Sequence, residues 1–321
     1  MTVPIRPFTP DDYEPLVAIE NTVWPEYPGT AEEWRLGDLN RDPKCLWARW
    51  VLEDGGTPIG YCGYSQSSHN YHPHKFYVSV TVHPDRQGQR HGSRMYEHVV
   101  AAIEPHRPVA LRMETREDYA RSLGFLERRG FREEQRERES RLYLKDFDFD
   151  RFTEAEERVV GQGLEIRTLT EIQSDPDWEH KLHRLITEVQ RDVPEPDPAT
   201  EIPFDLWRQR FHSSINRLPD AYLVAVDGDQ YVGLSYVDRC QAAAYLDTGL
   251  TGVLRSHRRR GIALALKLRV VRYGVDHGYP EIRTWNERNN AGMIGINDQL
   301  GFQPVPAWLF MVKVIRADGA E

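Results

Sequence analysis

A chain of 321 residues has room for about two domains, and 40% hydrophobic residues permit sizeable cores, while a net charge of −9 disfavours general nucleic-acid binding and suits cationic partners. A mean hydropathy of −0.63 and the lack of any 18-residue apolar run argue against a membrane span. The opening residues, MTVPIRPFTPDDYEP, lack the apolar stretch of a signal peptide, and Cys45, Cys62 and Cys240 form no disulfide framework or CxxC metal knot, so a reducing cytoplasm is the expected location.

In chain order, Ile5-Arg6-Pro7-Phe8-Thr9 reads as a short strand entering a helix start, with Thr9 capping Pro10-Asp11-Asp12. VLEDGGTPIGYCGY (51–64) reads as strand, Asp-Gly turn, strand: a hairpin. A strand ending near Val82 leads into the loop HPDRQGQRHG and a helix, and a further strand and helix end in FLERRGF (125–131). The run DFDRFTEAEERVVGQG predicts a polar helical linker ending at glycine.

The pattern then restarts. Ile166-Arg167-Thr168-Leu169-Thr170 is again strand then helix start, with Thr170 as the expected cap and Gln173 three residues on. LVAVDGDQYVGLSYV (223–237) repeats the hairpin. AYLDTGLTGV (244–253) reads as a strand, and 261–278 as a helix with apolar residues at 262, 266, 270 and 273 and Gly278 as its stop. EIRTWN (281–286) is a strand, AGMIGINDQLG a helix, and WLFMVKVI (308–315) the strand expected to close the second sheet. The proline-rich loop DVPEPDPATEIP (192–203) falls where the second copy has extra residues.

The chain thus says one thing twice. Residues 82–131 align with 253–302 without a gap, pairing Val82/Val253, Arg112/Arg283, Ala120/Ala291, Gly124/Gly295, Gly130/Gly301 and Phe131/Phe302. The reading is two tandem α/β domains, 1–147 and 163–321, joined by a linker helix at 148–162, each a sheet layered with helices.

The stretch RSHRRRGIALAL (255–266) crowds four arginines and a histidine into six residues before a glycine and an apolar helix. A helix start offers unpaired N–H groups and the positive end of the macrodipole. Glycine lets a ligand come close to the backbone, and arginines around it suit a phosphate or pyrophosphate. On spacing alone, a solvated basic turn that caps the helix is an equal reading.

The residues say more than the spacing. Arg258-Arg259-Arg260-Gly261-Ile262-Ala263 fits the pattern R/Q-x-x-G-x-G/A after a strand, and it resembles the acetyl-CoA pyrophosphate loop of the GNAT superfamily of N-acetyltransferases. Asn286, Asn290, Met293 and Leu300-Gly301-Phe302 match the second part of the family pattern, N-x-x-A-x-x-L-Y-x-x-x-G-F. HPDRQGQRHGSRMYEH (83–98) and FLERRGF resemble the same two motifs in the first copy, so the likeness covers the chain as a tandem pair, in a mycothiol-synthase-like arrangement.

The resemblance implies a mixed, twisted sheet in each domain, with two adjacent strands splayed to admit the pantetheine arm. It implies backbone pairing at Thr251, Gly252 and Val253, pyrophosphate binding by residues 258–263, and support from Asn286 and Asn290. In the first copy the matching cofactor residues are Val80, Thr81 and Val82, then Gln87, Gly88, Gln89, Arg90, His91 and Gly92. Acetyl-CoA is the implied co-substrate and a small-molecule primary amine the implied acceptor, with no metal, nucleic acid or membrane partner.

Each copy departs from the pattern. Arg90 stands where Gly261 stands, and Tyr119 where Asn290 stands. The tyrosine that often serves the family as general acid is replaced by Asn297 in the second copy and Leu126 in the first. Asn297 is expected to hydrogen-bond the sulfur. A thiol with a pKa near 8.5 is itself a tolerable leaving group. Asp247, eleven residues ahead of Arg258, is the expected base, with Tyr245 and Glu281 as alternatives and Phe76 at the matching place of the first copy. The expected function is acetyl transfer to an amine by direct attack in a ternary complex. The missing tyrosines favour a rival, a non-catalytic CoA-binding sensor or scaffold. His69, His72 and His74 read as a polar loop rather than a metal site, and the acidic loop Asp192, Glu195, Asp197 and Glu201 as solvated or amine-attracting.

Overall fold

The computed structural model describes residues 3–316, and the chain divides into two compact units. Unit 1 contains β1 (Ile5–Pro7), α1 (Tyr13–Val23), α2 (Ala31–Leu39), β2 (Trp47–Asp54), β3 (Thr57–Ser65), β4 (Lys75–Val82), α3 (His91–Ile103), β5 (Ala110–Arg116) and α4 (Ala120–Glu127). Thr9 opens the first helical turn with Asp12 as its box partner. The β2–β3 hairpin turns at Gly55 and Gly56, both at positive φ, as a tight hairpin turn requires. Strands β1 to β4 pair antiparallel in order. β4 then pairs β5 in parallel at Lys75↔Ala110, Phe76↔Leu111 and Tyr77↔Arg112, and beyond Tyr77 the two strands part. Phe76, Met95, Val99, Leu111 and Met113 form the core beneath α3.

β6 (Arg132–Tyr143) leads into unit 2. There follow α5 (Glu154–Val160), β7 (Leu164–Thr168), α6 (Leu169–Ile172), α7 (Trp178–Gln190), α8 (Phe204–Ser213), β8 (Arg217–Asp227), β9 (Gln230–Arg239), β10 (Leu246–Val253), α9 (Ile262–Asp276), β11 (Glu281–Glu287), α10 (Ala291–Leu300) and β12 (Gln303–Pro304). β7, β8, β9 and β10 pair antiparallel in order. β10 pairs β11 in parallel at Leu246↔Ile282 and Asp247↔Arg283 only, then the strands diverge, and β11 pairs β6 antiparallel. The α9 face buries Leu246, Val253, Ile262, Leu266 and Ile282. The other face buries Trp207, Tyr222, Val224 and Leu234 beneath α7 and α8.

Three expectations change. The last strand, β13 (Trp308–Val314), pairs antiparallel with β5, from Trp308↔Arg116 to Val314↔Ala110, and so completes the sheet of unit 1. Residues 137–143 of β6 in turn form the edge of unit 2. Each unit thus takes its last strand from the other half of the sequence, where the repeat boundaries at 147 and 163 had kept it at home. The linker is not a free spacer: Val159 is fully buried, and Phe147, Phe149, Phe152 and Ala155 pack on the core of unit 2. The second helix start is capped by Thr168 with Glu171, two residues earlier than Thr170 and Gln173. Among the described residues, no helix is long and apolar enough to cross a membrane.

Candidate active site

Both arginine- or glutamine-headed loops have the same backbone. In unit 2, Arg259 and Gly261 take left-handed φ values of 64° and 84°; in unit 1, Gly88 and Arg90 take 81° and 65°. The positions correspond, but glycine and arginine have changed places. A non-glycine residue in this region costs energy, so each loop holds one arginine in a strained conformation while keeping the shape. Arg90 therefore replaces the glycine of the pattern without losing the turn. The side chain that heads each loop folds back alike: Arg258 Nε donates to the Val253 carbonyl at 3.1 Å, and Gln87 Nε2 to the Val82 carbonyl at 3.1 Å.

The loop of unit 2 has protein partners. Asp192, at the end of α7, bridges Arg255, with Nε 2.9 Å away, and Arg258, and these arginines hold its carboxyl below the usual carboxylate range. Arg260 Nε donates to Gln162 at 2.8 Å, and Gln162 returns a bond to the Arg260 carbonyl at 3.1 Å. Arg260 also lies 3.7 Å from Asp227. Ile262 is buried in the core, Ala263 packs on it, and Gly261 starts α9. A Cβ at Gly261 would find its nearest neighbour, Arg158, at 3.9 Å. The loop backbone is thus open on that side, as approach by a diphosphate requires.

On β10, Thr251 Oγ1 and Ser235 Oγ are 2.8 Å apart. Gly252 lies under Val189: a Cβ there would meet Val189 Cγ1 at 2.0 Å, so only glycine lets α7 sit this close. Between Thr248 and Thr251 the register against β9 slips by one residue, a β-bulge. The bulge corrects the pairing of the two copies. Upstream of it, the residue on the last rung before the splay is Asp247 in unit 2 and Tyr77 in unit 1, each opposite an arginine, Arg283 or Arg112. Phe76 instead points into the core, as Leu246 does. A bulge shifts face as well as register, which an ungapped alignment of two sequences hides.

Asp247 is the group with the chemistry of a base. Burial pushes its carboxyl up to about 7, the nearby Arg283 opposes this, and Asp238, Glu139 and Glu281 add to it. Its Oδ1 is buried without a hydrogen-bond partner. Arg283 is engaged by Glu281 at 2.6 Å and its guanidinium lies 3.6 Å from the centroid of Tyr245. Tyr245 is driven upward by burial and is no base near neutrality. Asn297 is buried, and its Nδ2 donates to Asn286 Oδ1 at 2.6 Å while its own Oδ1 has no partner. Asn290 caps α10, accepting from the Met293 N–H at 3.3 Å.

In unit 1, Val82 is buried and Val80 packs on the core. Thr81 donates to Glu20 at 3.3 Å. Gln87 accepts from Arg121 at 2.8 Å. His91 is buried with Nδ1 unpartnered, Gly92 lies near Phe125, and Gln89 is exposed. The histidines of residues 69–74 serve the loop: His74 Nδ1 lies 2.9 Å from the His106 carbonyl, and the His74 N–H donates to His72. Among the described residues no group of three or more metal-ligating side chains occurs. Sequence reasoning missed Asp238 and Glu20 and gave Asp192 no structural part. Each acts through a neighbour far along the chain, and nothing local announces it.

Residues 13–131 match the model of the Acetyltransferase (GNAT) family. Among solved structures, the chain is similar to a tandem GNAT protein from the clavulanic acid biosynthesis pathway, solved without AcCoA, at 18% identity and a TM-score of 0.77, with 100% of both chains covered. It is similar to a GCN5-related N-acetyltransferase from Sphaerobacter thermophilus at 19% identity and a TM-score of 0.68, covering 100% of this chain and 99% of that one. No curated protein matches it in sequence. The structural likeness speaks for the fold, in tandem along the whole chain, and the family model for the kinship of the first copy. Residues 13–131 thus match the GNAT acetyltransferase family, and the whole chain shares the fold of a tandem GNAT protein.

Proposed function

We propose that this protein transfers the acetyl group of acetyl-CoA to a primary amine of a small molecule, by direct attack in a ternary complex, with unit 2 as the transfer centre. The observation that carries the reading is Asp247, a half-buried residue whose carboxyl has one buried oxygen without a hydrogen-bond partner, on the last rung before β10 and β11 part, on the strand that runs into the arginine loop. When bound, acetyl-CoA supplies an activated thioester. The loop of residues 258–263 would hold its diphosphate through backbone N–H groups and arginines, and Thr251, Gly252 and Val253 would present their backbone to the pantetheine. The corresponding loop of unit 1, from Gln87 to Gly92 with Val80 to Val82, would hold a second molecule in the same way.

Asp247 takes a proton from the acceptor ammonium, directly or through water, and frees the nitrogen lone pair. The nitrogen bonds to the carbonyl carbon and gives up its second proton to solvent, the carbon–sulfur bond breaks, and the thiolate takes a proton from solvent. Asn297 has a second amide hydrogen beyond the one given to Asn286, and we assign it to the sulfur. Positioning supplies most of the rate by making the encounter effectively unimolecular. Calorimetry with acetyl-CoA, paired with CoA-release assays on a panel of primary amines, tests this. Asp247→Asn should bind acetyl-CoA as the parent does and lose turnover. Unchanged turnover would remove Asp247 from the reaction, and absence of acetyl-CoA binding by the parent would overturn the reading.

A further inference from the structure

The turn between β10 and the arginine loop of unit 2 carries groups that the proposed transfer does not use. Ser256 Oγ lies 2.8 Å from His257 Nδ1, and His257 Nε2 lies 3.1 Å from Asp227 Oδ2. Asp227 is the last residue of β8, at the turn of the second hairpin. An aspartate carboxylate only accepts hydrogen bonds, so Nε2 carries the hydrogen of the neutral ring. Nδ1 is then a bare lone pair facing the serine hydroxyl. Hydroxyl, base and orienting carboxylate follow one another at hydrogen-bond distance, the order in which a nucleophilic serine is activated. Only 13% of the His257 side chain is exposed, so the ring is held in place, while Ser256 is open to solvent.

Unit 1 shows what a plain tether looks like at this place. There the last residue of β2, Asp54, is bound by Arg86 at 3.2 Å. In the gap-free alignment of the two copies, Arg86 and Asp85 stand where His257 and Ser256 stand. Pinning the hairpin to the loop therefore needs only a cation. Unit 2 has exchanged a guanidinium that keeps its protons for an imidazole that can accept one, and a carboxylate for a hydroxyl. Arg260 also lies 3.7 Å from the same Asp227 oxygen, so the hairpin has a second cation. A tether alone accounts for neither exchange.

We propose that Ser256 is a nucleophilic serine that hydrolyses an activated carboxylic ester, one whose leaving group is a phenol or an enol. Ser256 Oγ bonds to the carbonyl carbon while His257 Nδ1 takes the hydroxyl proton, and Asp227 holds the ring as it becomes charged. The bond to the leaving oxygen breaks, and His257 passes the proton to that oxygen. Water then adds to the acyl-serine with His257 again as base, the carboxylic acid leaves, and the serine is restored. An acidic leaving group matches a relay that supplies a base on an open turn. The site is separate from the proposed transfer centre and uses neither Asp247 nor residues 258–263.

The full chain is treated with 4-nitrophenyl acetate and, separately, with a fluorophosphonate, and the modified residue is located by mass spectrometry. The parent should release 4-nitrophenol and carry the phosphonyl group on Ser256. Ser256→Ala should lose both, with its thermal melt unchanged because the hydroxyl is exposed. His257→Arg rebuilds the unit 1 tether without a base. It should melt as the parent does and release 4-nitrophenol at least about a hundredfold more slowly, the usual worth of a general base. Absence of reaction, an adduct on another residue, or release that persists in Ser256→Ala would overturn the proposal. So would a His257→Arg variant that reacts at the parent's rate, which would leave the pair as a tether.

Discussion

Asp247 and Asp238 lie directly opposite each other across the β9–β10 ladder, and each has a carboxyl oxygen buried without a hydrogen-bond partner. Like charges facing across a ladder are destabilising. Burial raises both carboxyls, and Asp238 adds to the rise at Asp247. Arg217 pulls Asp238 down and Arg283 pulls Asp247 down, so the row reads cation, acid, acid, cation across four strands.

Turnover should therefore rise with pH through about 7, as Asp247 loses its proton and becomes a base. Replacing Asp238 by Asn removes one contributor to the raised value, so the acid limb of the profile should move to lower pH. Asp247→Asn should cut turnover by about a hundredfold or more, the usual worth of a general base. Rates from pH 5.5 to 9 check all three.

The same carboxyl makes a stability prediction of opposite sense. Its folded pKa is raised from 3.8 to about 7, so the folded state holds the proton more tightly than the unfolded one. The stability gained is fully present below about pH 4 and is lost as pH rises through 7. Asp247→Asn cannot ionise and escapes that loss. It should be more stable than the parent at pH 8, by on the order of a few kcal/mol, with the gap narrowing toward pH 5. Urea unfolding at the two pH values measures it.

Asp192 binds two arginines that the cofactor's phosphates would need. Asp192→Asn should free them and tighten acetyl-CoA binding by about three- to tenfold, with a steeper loss of affinity on adding salt. Calorimetry at 50 and 300 mM salt decides. A weaker complex would mean that Asp192 orders the arginines rather than competing for them.

The two loops predict a reciprocal pair of effects. Arg90→Gly and Arg259→Gly each relieve a left-handed non-glycine residue, while Gly261→Ala introduces one. The first two should stabilise slightly or be neutral, since glycine also gains freedom in the unfolded chain. The last should cost about 1 kcal/mol. Denaturant midpoints read the difference.

Much of this was legible in the sequence. The tandem repeat, both hairpins, the arginine loop and the helix after it are local patterns, and each formed close to where spacing predicts. What the sequence hides is partnership. The one-residue bulge before Thr251 leaves no mark in composition, yet it decides whether Tyr77 or Phe76 matches Asp247.

The strand exchange is the hardest case and gives the sharpest test. β13 carries Leu309 and Met311 into the core of unit 1, where they pack with Leu111 and Met113. Hydrophobic alternation shows that 308–314 is a strand, but it cannot say which of two similar sheets receives it. Met311→Ala should cost about 2–5 kcal/mol, as for other buried large-to-small changes. Hydrogen exchange should then quicken in β5, its ladder neighbour, while β10 and β11 stay protected. If the repeat boundary marked the folding unit, protection would fall in β11 instead, and the exchange of last strands would have no energetic meaning.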